Sequence, residues 1–191
     1  MKREFCLYKL LKVKESFQVC LNKIVTQIAE GCRHIAAMNV VHRDIACRNI
    51  FISSIENSET QKFFIAKIGD FGMARKLDDS KFLISEGSEQ LPWRQSAPEV
   101  LSLPSKFSEF SDVWSFGILI WETYSWGEQV FKDKTLNEMI EYYTRDFRFR
   151  QEEHGLKKPD FMPEEVEKVM DDCLRISYAL RKWFLFPPEI T

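Results

Sequence analysis

His42-Arg43-Asp44-Ile45-Ala46-Cys47-Arg48-Asn49 is the stretch on which the reading of this chain turns. It sets a carboxylate, Asp44, five positions before a carboxamide, Asn49, with a His-Arg pair in front and a further guanidinium, Arg48, beside the amide. Downstream, in order, come Asp70-Phe71-Gly72 and Ala97-Pro98-Glu99. Taken alone, Asp-x-Gly is a turn signal. After the first stretch it reads differently, because Asn49 and Asp70 both offer the hard oxygen atoms that a small divalent cation takes. Three ordered motifs at workable spacing are a strong signal where each alone is moderate.

Outward from these motifs, composition bounds the class. With 191 residues the chain is long enough for one domain with a sizeable core. Its 45% apolar and 29% charged residues are those of a globular protein, and a formal charge of −2 gives no pull toward nucleic acid. Five cysteines, an odd number with no C-x-x-C pair, argue against a disulfide framework and for a reducing, cytoplasmic setting. The N-terminal MKREFCLYKLLKVKE is too rich in lysine for a signal-peptide core. The most apolar stretch, Val113 to Trp121, is nine residues and too short to span a bilayer, so no membrane segment is expected.

Periodicity predicts a mainly helical α+β architecture. Leu7, Leu10 and Leu11 mark a short helix, with Ser16 a candidate cap for the next. Leu21, Ile24, Val25, Ile28, Ala29, Cys32, Ile35 and Ala36 then recur at helical spacing and lead into His42. Two short apolar runs, Ile50–Ile52 and FFIAKI before Gly69, flank the polar connector SSIENSET and predict a hairpin with an exposed loop. Val113 to Trp121 predicts a central helix, Thr135-x-x-Glu138 a capping box, and Pro163-Glu164-Glu165 another helix with Val166, Val169, Met170, Cys173 and Leu174 on its buried face.

These motifs resemble the protein kinase family: the catalytic loop H-R-D-x-x-x-x-N, then D-F-G, then A-P-E. The resemblance covers about residues 4–186, and treats the whole chain, 1–191, as one partial kinase domain, the large lobe. The implied fold is that lobe, a helical bundle with a short β-hairpin at the catalytic cleft. The resemblance implies ATP and Mg²⁺ as cofactors, with Asp44 as base, Asn49 and Asp70 as magnesium ligands, and Phe51 beneath the adenine. It also implies support roles: His42 packing on Phe71 beside Gly72, Arg43 meeting a phosphate or acid of the activation segment, Asp112 binding the catalytic-loop backbone, and Glu99 paired with Arg181.

Within the family the chain resembles the tyrosine kinases. Ala46 stands where serine/threonine kinases place lysine, and Arg48 matches the substrate-orienting arginine of an A-A-R-N ending. Pro92 and Trp93 fall in the segment on which a substrate tyrosine rests, implying a tyrosine-bearing protein as substrate. That segment departs from the usual L-P-V-R/K-W-M/T-A-P-E: here it is LPWRQSAPE, with Gln95 and Ser96 replacing a bulky pair.

Residues 1–41 hold one glycine, Gly31, and no V-A-I-K lysine, so a small lobe is expected to be missing. Positioning of bound phosphates is worth ~7–11 kcal/mol of barrier, against ~10²–10⁴-fold for a general base. Weak or no activity of the lone chain is therefore expected, and a non-catalytic protein-binding module stays open as the alternative. The cleft surface around His42, Phe51 and Phe71 would then favour self-association or a partner. Met73 to Ser96 contains no Tyr or Thr, which excludes activation through a loop tyrosine and leaves Ser80, Ser85, Ser88, Glu86 or Glu89 to face Arg43.

Overall fold

Apolar residues at helical spacing put the core where the central helix crosses its neighbours. The computed structural model describes residues 4–11, 20–58, 61–86, 91–145 and 154–181. Helix α1 (Leu7–Leu11) buries Leu7 and Leu11; α2 (Leu21–Ala37) buries Leu21, Ile24, Val25, Ile28, Ala29 and Cys32. The candidate cap Ser16 and the tract from Lys182 onward lie outside the described residues.

Strands β1 (Glu4–Cys6), β3 (Ile50–Ser58) and β4 (Gln61–Ile68) form one antiparallel sheet in the order β1-β3-β4. Here the structure corrects the expected loop. Most of the SSIENSET connector is strand: pairing runs from Ile50↔Ile68 out to Ser58↔Gln61, with an irregularity between Glu56 and Ser58. Polar composition did not prevent strand formation, because strand propensity yields readily to pairing with a neighbour. Gln27 of α2 closes the outer edge of β4: its amide nitrogen donates to the Phe64 carbonyl at 3.1 Å, and its oxygen accepts from the Ala66 N–H at 2.9 Å. Covering an edge in this way removes a template for unwanted pairing.

Two small ladders follow. Strand β2 (Val40–Val41) pairs with β5 (Arg75–Lys76), and β6 (Leu83–Ser85) pairs with β7 (Ser105–Phe107). Between them lies the single turn α3 (Pro98–Leu101). Helix α4 (Glu109–Tyr124) opens on a reciprocal cap between Ser108 and Ser111 and is buried almost all round, as its composition predicts. Helix α5 (Leu136–Arg145) begins at the expected capping box: Glu138 accepts from the Thr135 N–H at 2.7 Å, and Thr135 Oγ1 from the Glu138 N–H at 3.3 Å. Helix α6 (Glu164–Cys173) presents Val166, Val169, Met170 and Cys173 to the core, as expected.

Gly117 sets how closely α4 and α6 cross. A Cβ there would meet the Leu174 side chain at 2.8 Å and Cys173 Cβ at 2.9 Å. Gly117→Ala gains ~0.5–1 kcal/mol of helix propensity and loses ~1–3 kcal/mol to overpacking. A net destabilisation of about 1 kcal/mol or more is expected, read as a lower midpoint in urea unfolding; an unchanged or higher midpoint would show that the crossing can relax.

Candidate active site

A buried carboxylate organises the loop that the sequence singled out. Asp112, in the first turn of α4, accepts the backbone N–H of His42 at 2.6 Å and that of Arg43 at 2.9 Å. Arg43 sits in the left-handed region at φ 70°, an uncommon conformation for a bulky residue, and these two bonds help to hold it. Burial pushes the Asp112 carboxyl up to about 7, against the pull of both N–H donors and of the Arg43 guanidinium. Arg43 itself is buried, its guanidinium stacked 4.1 Å over the Phe107 ring.

His42 is fully buried and joins two of the motifs. Its Nε2 lies 3.1 Å from the Gly69 carbonyl oxygen, and Nδ1 accepts the Asp44 N–H at 3.3 Å. One ring nitrogen donates while the other accepts, which is the pattern of a neutral imidazole. Burial accordingly lowers the His42 pKa. The ring meets Phe71 edge-on, 4.8 Å between centroids. His42 therefore packs, as the resemblance implies.

Asp44 is gripped from two sides. Arg48 donates through Nη2 to its Oδ1, and Asn49 donates through Nδ2 to its Oδ2 at 2.7 Å and to its carbonyl at 2.8 Å. The 3₁₀ turn Cys47–Asn49 brings both partners back toward Asp44. Both amide protons of Asn49 are spent on Asp44, which leaves Oδ1 as its oxygen for a cation. The Asn49 carbonyl also accepts the Gly69 N–H at 2.9 Å, fastening the loop to the strand that delivers Asp70.

Asp70 is exposed and left-handed at φ 60°, with Oδ1 accepting the Gly72 N–H at 3.4 Å. Phe51, partly exposed, lays its ring over Gly69, where a Cβ would sit 2.6 Å from it; only glycine allows that contact. Among the described residues no group of three or more His, Cys, Asp or Glu could hold a metal ion. The donor set nevertheless fits magnesium, which is commonly held by one or two protein oxygens together with phosphate oxygens and water.

Asp44 and Arg48 open onto a cleft of about 750 Å³ whose other walls include Leu91, Pro92, Trp93 and Gln95. Arg94 stacks 3.9 Å over the Trp93 ring. The structure thus gathers Asp44, Arg48, Pro92 and Trp93 around one cavity. Glu99 and Arg181 are joined elsewhere, in a two-pronged ion pair of 2.6 and 2.8 Å. Removing one partner of such a buried pair typically costs about 3–5 kcal/mol.

Sequence reasoning missed Glu122. It is buried near the end of α4, where it accepts the Cys47 N–H at 3.2 Å and the Gln95 side-chain amide at 2.7 Å, and burial raises its pKa. The available signal was its spacing: ten residues after Asp112 in a helix otherwise buried on every side.

A helical lobe with a β-hairpin following its catalytic loop, and an aspartate on its cleft held by an arginine and an asparagine, is the architecture of the catalytic lobe of a phosphoryl-transfer fold. The chain belongs to the protein tyrosine and serine/threonine kinase family, whose sequence pattern matches residues 6–185. It is similar to tyrosine kinases in particular. Identity is 31% over 164 residues to the tyrosine-protein kinase transforming protein ros of UR2 avian sarcoma virus, covering 86% of this chain and 37% of that one. It is 34% over 151 residues to the chicken high affinity nerve growth factor receptor (79% and 17%), and 35% over 163 residues to human tyrosine-protein kinase Fer (85% and 17%). The chain thus spans well under half the length of these relatives.

The raised Asp112 pKa carries a sign. Between about pH 4 and pH 7 the folded state binds a proton here that the unfolded chain has released. The stability from this group is therefore full below about pH 4 and lost as pH rises to about 7. Asp112→Asn, which cannot titrate, should flatten the fall in unfolding free energy across that window, measured by denaturant titration at a series of pH values. An unchanged slope would mean that Asp112 is ionised throughout.

Proposed function

We propose that this chain carries the large-lobe half of a protein tyrosine kinase site, transferring the γ-phosphoryl group of ATP to a tyrosine hydroxyl of a protein. The observation that carries this reading is the double grip on Asp44 at the mouth of the cleft walled by Pro92 and Trp93. Each Asp44 oxygen gives one lone pair to a fixed donor, so another remains to take the proton of an incoming hydroxyl. Arg48 orients that carboxylate and offers its cation to the substrate side. Phe51 provides a surface for adenine. Asn49 Oδ1 and the Asp70 carboxylate would hold magnesium, which supplies charge neutralisation of the phosphates when bound with nucleotide.

Ala46 in place of a lysine two residues after Asp44, with Arg48 four residues after it, supports tyrosine over serine, as do the tyrosine kinases among the relatives. All five cysteines are free, which supports a reducing, cytoplasmic setting; among the described residues no helix is long and apolar enough to cross a membrane. A second reading draws on Phe51 and Phe71, which are 38% and 50% exposed: this face takes a protein partner or a second copy of the chain. Sedimentation of the purified chain tests it, a dye-free monomer at tens of micromolar counting against it.

The 191-residue chain by itself should transfer little phosphate to a mixed tyrosine polymer with ATP and magnesium. With a kinase small lobe supplied upstream it should do so, and Asp44→Asn should lower the rate by ~10²–10⁴-fold. Phosphoamino-acid analysis should return mainly phosphotyrosine. Mainly phosphoserine would overturn the subclass, and full activity in Asp44→Asn would overturn the role of the loop.

A further inference from the structure

Gln95 stands where tyrosine kinases usually carry a bulky aromatic residue, yet its side chain is neither exposed nor idle. It is buried, and its amide nitrogen donates to Glu122 Oε1 at 2.7 Å. The other oxygen of the same carboxyl accepts the backbone N–H of Cys47 at 3.2 Å. Cys47 lies between Asp44 and Arg48, and Gln95 is part of the wall of the cleft that those two residues open onto. One buried carboxyl therefore spans the substrate-docking segment and the catalytic loop. The tie is braced at both ends. Ser115 Oγ donates to the Gln95 carbonyl at 2.8 Å, and the Gln95 N–H donates to the Pro92 carbonyl at 2.9 Å. On the loop side, Cys47 Sγ lies 3.7 Å from the Leu119 carbonyl and 3.4 Å from Thr123 Oγ1.

We propose that Gln95 is a positioning residue, which through Glu122 holds the docking segment in register with the catalytic loop, so that a bound hydroxyl meets Asp44. This inference rests on the kinase reading of the cleft. An apolar side chain of similar size could fill the space but could not donate to Glu122. Glu122 would then be left buried with one oxygen unsatisfied, and Cys47 with a partner free to shift. Such a loss would fall on peptide engagement and on the loop amide. It would not reach the nucleotide side, where Phe51 and Asp70 sit.

The test uses the full 191-residue chain and two variants, Gln95→Met and Glu122→Gln. Three quantities are read: affinity for a mixed glutamate–tyrosine polymer, hydrogen exchange at the Cys47 amide, and the thermal midpoint. Gln95→Met should weaken polymer binding and speed Cys47 exchange, each by about tenfold, the size expected when a buried acceptor loses one donor. Glu122→Gln should repeat the pattern, and the double variant should be little worse than either single one, because both break the same tie. Binding and Cys47 exchange within twofold of the parent in Gln95→Met would overturn the proposal. So would additive effects, or a collapse of the thermal midpoint in both variants, which would make the contact one of core packing alone. If the parent chain binds no polymer, the kinase reading of the cleft fails, and Cys47 exchange alone then decides whether Gln95 holds the loop.

Discussion

The contact on which the rest depends is the pair of bonds from the His42 and Arg43 amides to Asp112. A backbone amide buried without a partner costs about as much as a lost hydrogen bond, and here two lie side by side in a loop with no ladder of its own. Asp112 satisfies both, and its own burial is tolerated because it does. With the loop fixed there, His42 reaches the Gly69 carbonyl and the Asn49 carbonyl reaches the Gly69 amide, which ties the residue before Asp70 to the loop. Loosening Asp112 would release the ends of each of these links together.

Helix α4 does more than fill the core. Asp112, Ser115, Leu119 and Glu122 follow one another at steps of three, four and three residues, which puts them in a line along one face. Along that line Asp112 takes the start of the catalytic loop, Ser115 the docking segment, the Leu119 carbonyl the Cys47 thiol, and Glu122 both loop and segment. A helix that is apolar on its other faces and anchored by α6 at Gly117 is a rigid ruler for such a task. The polar groups that chemistry would use are loop-borne, and their spacing is set by a buried helix.

Much of this was legible from the residues. The motifs singled out Asp44 and Asn49, which hydrogen-bond to each other, and the periodic segments gave α2, α4, α5 and α6. The hairpin was read too short because side-chain polarity was taken as a loop signal, whereas backbone pairing from Ile50 to Ser58 decides the strand. Strands β1, β6 and β7 are three residues each, too short for an alternating pattern to emerge. Gln95 read as a departure from a pattern, and its partner Glu122 as nothing at all. A lone acid near a helix end is usually a solvated residue, and the only sign against that here was its place in a helix apolar on nearly every side.

Amide exchange in the native state, resolved for His42 and Arg43, tests the central claim most directly. Two amides bonded to a buried carboxylate should exchange only when the whole lobe unfolds, so their opening free energy should equal that of core amides in α2 and α4. Exchange at those two positions as fast as at exposed loop amides, while α2 and α4 remain protected, would mean that Asp112 does not hold the loop, and the account of the site built on it would be wrong.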